Sequence, residues 1–206
     1  MARIALPESL TAPPKVGRAL DQETIRGWYT PPQWAALERG EILIAGGEGE
    51  DTATLHRRRH RATAIIAHTP EQVWLALTDF ESRPRFLPGA KEIRIVRLEG
   101  NKVWLDERVR LPLLSIHYRV INTLEPELGS MSWILDKSAP HDIADTDGGW
   151  LVSALDGGSR TLVTYRVRVD TGQPLPGFLE NLLVKRSLPD LIAGLRHEVE
   201  RRFAPR

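Results

Sequence analysis

The chain predicts an α+β fold in which a curved antiparallel β-sheet wraps around a long C-terminal α-helix. Three observations carry this. Six short runs, 91–99, 102–110, 114–124, 130–136, 148–155 and 160–170, follow one another with turn signals and one loop, 137–147, between them. Short connections require antiparallel neighbours, because parallel strands need long crossovers. Second, the runs alternate: Val163, Tyr165, Val167 and Val169 are apolar, whereas Thr164, Arg166 and Arg168 are not. One face of such a sheet is wet and the other must be covered. Third, apolar residues recur at 178, 182, 188, 192, 195, 199 and 203, close to helical spacing. A helix over 176–203 would run roughly 42 Å at 1.5 Å per residue.

The elements follow in chain order. Residues 1–19 hold Pro7, Pro13, Pro14 and Gly17 with little periodicity and read as an irregular arm. Leu20–Tyr29 is weakly helical. Thr30-Pro31-Pro32-Gln33 is a capping box with proline in the first turn, opening a helix that should stop at Gly40. Glu41–Ala45 is a short strand candidate, ended by the turn chemistry of GGEGED. Residues 53–67 read as a strand entered through a basic run. Thr69-Pro70-Glu71-Gln72 is a second capping box, opening a helix through VWLALTDF. Ser82–Leu87 reads as one more helical turn before the six runs. Residues 137–147 read as a loop. Pro189, inside the terminal periodic run, predicts a kink or break near 185–189, because it lacks the N–H that would bond Lys185. Two units result: an N-terminal arm with short helices over 1–52, and a domain over 53–206.

Composition excludes several classes. The apolar fraction of 41% and charged fraction of 27% describe an ordinary globular chain. No apolar run approaches the ~18 residues of a membrane span. The absence of cysteine removes disulfides, thiolate nucleophiles and Cys-ligated metals. A net charge of +1 argues against nucleic acid as a partner. The N-terminus MARIALPESLTAPP has no apolar signal core. A chain native from Met1 is expected in the cytoplasm, and one whose leader was removed in the periplasm or outside. No G-x-S-x-G elbow, P-loop or G-x-G-x-x-G is present, and no cofactor is expected.

The segments TPEQVWLALTDFESRPRFLPGAKEIRIV (69–96), GGWLVSALDGGSRTLVTYRVRVD (148–170) and LRHEVERRF (195–203), in this order of elements, resemble the helix-grip fold of START-like and birch-pollen-allergen-like domains. The resemblance covers about 61–203. Its nearest branch is the SRPBCC type of polyketide cyclase/dehydrase and coenzyme-Q-binding proteins. It implies a deep apolar cavity between sheet and terminal helix, holding lipids, sterols, quinones or polyketides, with catalysis in only some members. Fold alone does not fix function.

Aromatic side chains with a polar tip suit such a cavity. Trp74, Phe86, Tyr118, Trp133, Trp150, Tyr165 and Phe178 are the candidates, joined by the inward-phase Leu105, Val109 and Val120 and by Leu182 of the terminal helix. Trp104 falls on the charged phase and is expected outside; both phases around Trp150 are apolar. Glu107 interrupts the apolar phase of Val103, Leu105 and Val109, and an inward carboxyl there would have a raised pKa. Asn122 interrupts Val120 and Leu124 in the same way. An enzyme of cyclase type would need a base alpha to a ketone and a donor for the enolate; Glu107, His117 and Tyr118 are the catalytic candidates, with Arg119 beside His117. The loop of His141, Asp142, Asp145 and Asp147 lacks calcium or zinc spacing, so no metal is expected. The run His56–Arg61 offers Arg57, Arg58, Arg59 and Arg61 for transient contact with an anionic membrane surface. The leading expectation is a non-catalytic binding or carrier protein for a hydrophobic small molecule. The alternative is a polyketide cyclase/aromatase using the same cavity, and a third reading is an adaptor docked through its arm.

Overall fold

A computed structural model describes residues 4–11, 21–48, 59–111, 114–172 and 186–204. Among them, eight strands form one antiparallel sheet in the order β1-β2-β8-β7-β6-β5-β4-β3. They are β1 (Leu43–Glu48), β2 (Arg59–Ile66), β3 (Ala90–Glu99), β4 (Lys102–Leu111), β5 (Leu114–Glu125), β6 (Ser130–Leu135), β7 (Asp145–Leu155) and β8 (Arg160–Asp170). The helices are α1 (Glu8–Thr11), α2 (Gln22–Gly27), α3 (Pro31–Glu38), α4 (Pro70–Thr78) and α5 (Leu188–Phe203). No described helix is long and apolar enough to cross a membrane.

The meander β3–β8 follows the six alternating runs. β2 then closes onto β8, with His60 opposite Val167 and Ile66 opposite Thr161. Register shifts in β3 at Ala90/Glu92 and Ile95/Arg97 mark bulges, which raise local twist and help curve the sheet. Both capping boxes form. Thr30 and Thr69 each accept from the Gln backbone three residues on, and Gln33 and Gln72 answer the cap N–H at 2.9 and 3.2 Å. α3 ends before Gly40, whose φ of +84° is the left-handed conformation that glycine permits.

The core lies between the concave face and α4 with α5. Val73, Trp74 and Leu77 of α4 and Leu188, Ile192, Leu195 and Val199 of α5 meet Ala62, Ala64, Ile66, Val103, Leu105, Met131 and Val163 of the sheet. At Gly194 a Cβ would stand 2.1 Å from the Phe86 carbonyl oxygen, so α5 lies directly on that backbone. The convex face has its own smaller core. Ile25 of α2 and Trp34 and Leu37 of α3 cover Ile65, Leu155 and Leu162. This explains the double apolar phase near Trp150: Trp150 and Val152 point inward, whereas Leu155 points outward to the arm helices.

Three sequence expectations change. Residues 1–19 do not read as irregular throughout, because α1 forms at Glu8–Thr11 and Leu10 is buried in the main core. β1 runs through Gly46 to Glu48, so the first glycines of GGEGED belong to a strand. A Cβ at Gly46 would lie 2.4 Å from His60 Nδ1, which makes glycine the residue that lets this pairing close. β7 begins at Asp145 within the expected loop, where Asp145 and Asp147 hold Arg168 of β8. Pro189 stands in the first turn of α5, directly after a π-helical turn at Arg186–Ser187 within the expected break of 185–189; the stretch 176–185 of the expected long helix lies outside the described residues.

Candidate functional site

The strand-borne residues singled out by alternation share the concave face. Leu105, Glu107 and Val109 on β4 stand opposite Val120, Tyr118 and Ile116 on β5. Asn122 stands opposite Trp133, and Met131 opposite Trp150, which in turn faces Tyr165. Trp133 and Tyr165 stack with ring centroids 5.6 Å apart, and Trp150 tilts against Tyr165 at 4.5 Å. Trp133 can lie there because residue 148 has no side chain: a Cβ at Gly148 would sit 2.1 Å from Trp133 Cζ2.

A polar pair interrupts this apolar wall. Tyr118 donates its hydroxyl to Glu107 Oε2 at 3.0 Å. Both side chains keep some accessible area on the concave face, while protein surrounds their polar ends. Burial raises the Glu107 carboxyl above the usual carboxylate range, against the pull of Arg83 and the Tyr118 hydroxyl. Burial and then the Glu107 charge push the Tyr118 phenol well up, and the same two causes raise Tyr165.

Arg83 is the residue that sequence reasoning missed. In FESRPR nothing marks it, and Ser82–Leu87 reads only as one more helical turn. The turn after α4, Phe80–Arg85, carries it inward instead, and it is 5% exposed. Its Nε and Nη2 donate to the Leu77 carbonyl at 2.9 and 2.5 Å, satisfying a carbonyl at the C-terminal end of α4. Nη2 also lies 3.1 Å from Met131 Sδ, and the guanidinium covers the Phe80 ring at 4.4 Å. Burial lowers its pKa to about 10, while Glu107, Tyr165 and Asp79 hold the charge. No spacing rule separates this arginine from its neighbour Arg85, which is exposed.

Other candidates are placed apart. Trp74 is fully buried, and its indole N–H donates to the Leu10 carbonyl at 3.0 Å. Phe86 is half-buried at the edge of the main core. Trp104 lies on the convex face with Arg97 over its ring at 4.5 Å. His117 does not join Tyr118 as an acid–base pair, because alternation sends it to the convex face. Its backbone N–H there donates to Asp142 Oδ2 at 2.7 Å, and Arg119 on the same face pairs with Asp106 at 2.7 Å. Among the described residues no cluster of histidine and carboxylate side chains could hold a metal. Arg59 and Arg61 are exposed on β2. Arg57, Arg58, Phe178 and Leu182 lie outside the described residues.

Solved structures of the same fold exist. The aromatase/cyclase Zhui from Streptomyces sp. R1128 is 16% identical with a TM-score of 0.58, covering 79% of this chain and 96% of that one. A STAR-related lipid transfer protein from Xanthomonas axonopodis is 16% identical with a TM-score of 0.63, covering 77% and 93%. Human StAR-related lipid transfer protein 5 is 12% identical with a TM-score of 0.61, covering 88% and 93%. No curated protein matches by sequence. The family model described as polyketide cyclase/dehydrase and lipid transport matches residues 66–196. That span begins at the end of β2, takes in the concave face and its polar pair, and ends within α5, so the chain belongs to the polyketide cyclase/dehydrase and lipid transport family.

Proposed function

We propose that the protein binds and carries a hydrophobic small molecule, of lipid, sterol, quinone or polyketide-like type, between the concave face and α5. One observation carries the reading. Trp133, Tyr165, Tyr118 and Glu107 all point to the covered side of the sheet, yet each retains accessible area. An apolar ligand laid against them leaves water at about 25 cal/mol per Å², before ordering costs. Denaturing extraction of freshly purified protein followed by mass spectrometry identifies what it carries. A fluorescent fatty acid or sterol should quench tryptophan emission at micromolar concentration, and Tyr165→Ala and Trp133→Ala should weaken binding without unfolding. A broad apolar panel that moves neither emission nor melting temperature would refute the carrier reading.

A cyclase reading has its own support, the inward Tyr118–Glu107 contact of 3.0 Å. There the Glu107 carboxylate would take the proton alpha to a ketone, and the electron pair would move to the carbonyl oxygen. That enolate would form near the Arg83 charge. Glu107→Gln separates the readings: it abolishes turnover of a poly-β-ketone if the protein is an enzyme, and leaves apolar binding within about twofold if it is a carrier. In the carrier reading residues 53–206 hold the ligand, while within residues 1–52 α2 and α3 brace the convex face, β1 extends the sheet edge and Leu10 of α1 closes the main core. Arg59 and Arg61, with Arg57 and Arg58 before them, serve transient contact with an anionic membrane. Co-sedimentation with phosphatidylserine vesicles, lost on Arg59→Glu/Arg61→Glu, tests that contact.

A further inference from the structure

Asn122 sits in the inner phase of β5 between Val120 and Leu124, across from Val103 on β4 and Trp133 on β6. It is 2% exposed, and its Nδ2 has no hydrogen-bond partner. Buried amide groups are nearly always paired, and an unmet one destabilises the fold unless something answers it. The neighbours Val103, Val120 and Leu124 are buried and apolar, so they offer nothing. Two side chains able to donate lie nearby. Diagonal to Asn122 is Met131, with Arg83 Nη2 at 3.1 Å from its sulfur. Opposite is Trp133, which stacks on Tyr165, whose hydroxyl can donate. A set of donors on an apolar wall answers an acceptor oxygen; a plain hydrocarbon would leave the amide unmet.

We propose that Asn122 sets the specificity of the cavity, donating from Nδ2 to a carbonyl-type oxygen on an otherwise apolar ligand. This deepens the carrier reading and rests on it. The probes are 2-methyl-1,4-naphthoquinone and 2-methylnaphthalene, which share a carbon skeleton and differ in two carbonyls. The chain has no cysteine, so the quinone forms no thiol adduct with it. Equilibrium dialysis of the full chain measures both affinities. Asn122→Leu should weaken quinone binding by about tenfold and leave the hydrocarbon within about twofold, because sites built to hydrogen-bond a ligand lose most when that bond is removed. Without ligand the variant should melt at or above the parent temperature. Asn122→Val, a better strand former, repeats the test if the leucine variant does not fold. Equal losses for both probes, or unchanged quinone binding, overturn the role of Asn122 while the cavity stands. Binding of neither probe by the parent overturns the carrier reading and the proposal with it.

Discussion

Replacing Gly148 by alanine should destabilise the protein through one methyl group. The added Cβ would stand 2.1 Å from Trp133 Cζ2, 2.6 Å from Cη2 and 2.4 Å from the Arg166 carbonyl oxygen. Carbons in contact keep about 3.5–4.0 Å, so the indole would have to withdraw by about 1.4 Å or more. A withdrawal of that size disturbs the ring's stack on Tyr165. The carbonyl cannot swing aside, because it belongs to the backbone of β8 and β7 is paired to that strand. Overpacking costs about 1–3 kcal/mol and the lost ring pair about 1 kcal/mol, together roughly 2–4 kcal/mol. A chain of this length loses roughly 2–4 °C of melting temperature per kcal/mol, which places the drop at roughly 4–16 °C. Calorimetry of parent and variant measures it, with tryptophan emission reporting the moved indole. Gly27→Ala is the control: nothing lies within 4 Å of its Cβ position, so its melting temperature should hold or rise slightly. A Gly148→Ala melt within about 2 °C of the parent, with unchanged emission, would refute the packing argument.

Glu107→Gln should raise stability at neutral pH. The folded carboxyl holds its proton above the ordinary carboxylate range, so the folded state binds more protons than the unfolded one, and stability falls as pH rises through that window. The variant's melting advantage should therefore grow with pH from about 4.5 upward, and a constant difference at all pH values would contradict the burial argument. Thr69→Ala removes the side-chain half of the α4 capping box and should cost about 1 kcal/mol in urea unfolding; no change would mean the cap is replaced by water. Leu195→Ala empties a fully buried position between α5 and the sheet and should cost about 2–5 kcal/mol, so a loss under 1 kcal/mol would show the site collapses.

Alternation was enough to place Glu107, Tyr118, Asn122, Trp133 and Tyr165 on one face, because a strand's period of two leaves only two choices. It sent His117 and Trp104 to the other face for the same reason. The helix starts were legible because Thr30-x-x-Gln33 and Thr69-x-x-Gln72 are local reciprocal contacts. Arg83 was not legible. Its burial depends on a tertiary fact, the uncapped Leu77 carbonyl and the Met131 sulfur meeting at one point, and sequence spacing does not encode that. Gly46 looked like turn chemistry, and nothing marked Gly148. Their reason is a ring from a neighbouring strand occupying the space. The double apolar phase around Trp150 stayed ambiguous until the arm helices supplied a second core for the outward set.

The β2–β8 pairing joins His60 to Val167, residues separated by 107 positions. A ribosome adding roughly 5–20 residues per second needs on the order of 5–20 s to produce the partner after β2 has appeared. Through that interval β1 and β2 have only each other, and the apolar inner side of β2, with Ala62, Ala64 and Ile66, stands uncovered until β8 and α5 follow. Such long-range pairing also slows folding, because the loop must close before any contact rewards it. The birth order of the strands therefore makes the N-terminal hairpin the most aggregation-exposed part of the nascent chain. A chaperone acting on this protein should engage it before residue 160 emerges.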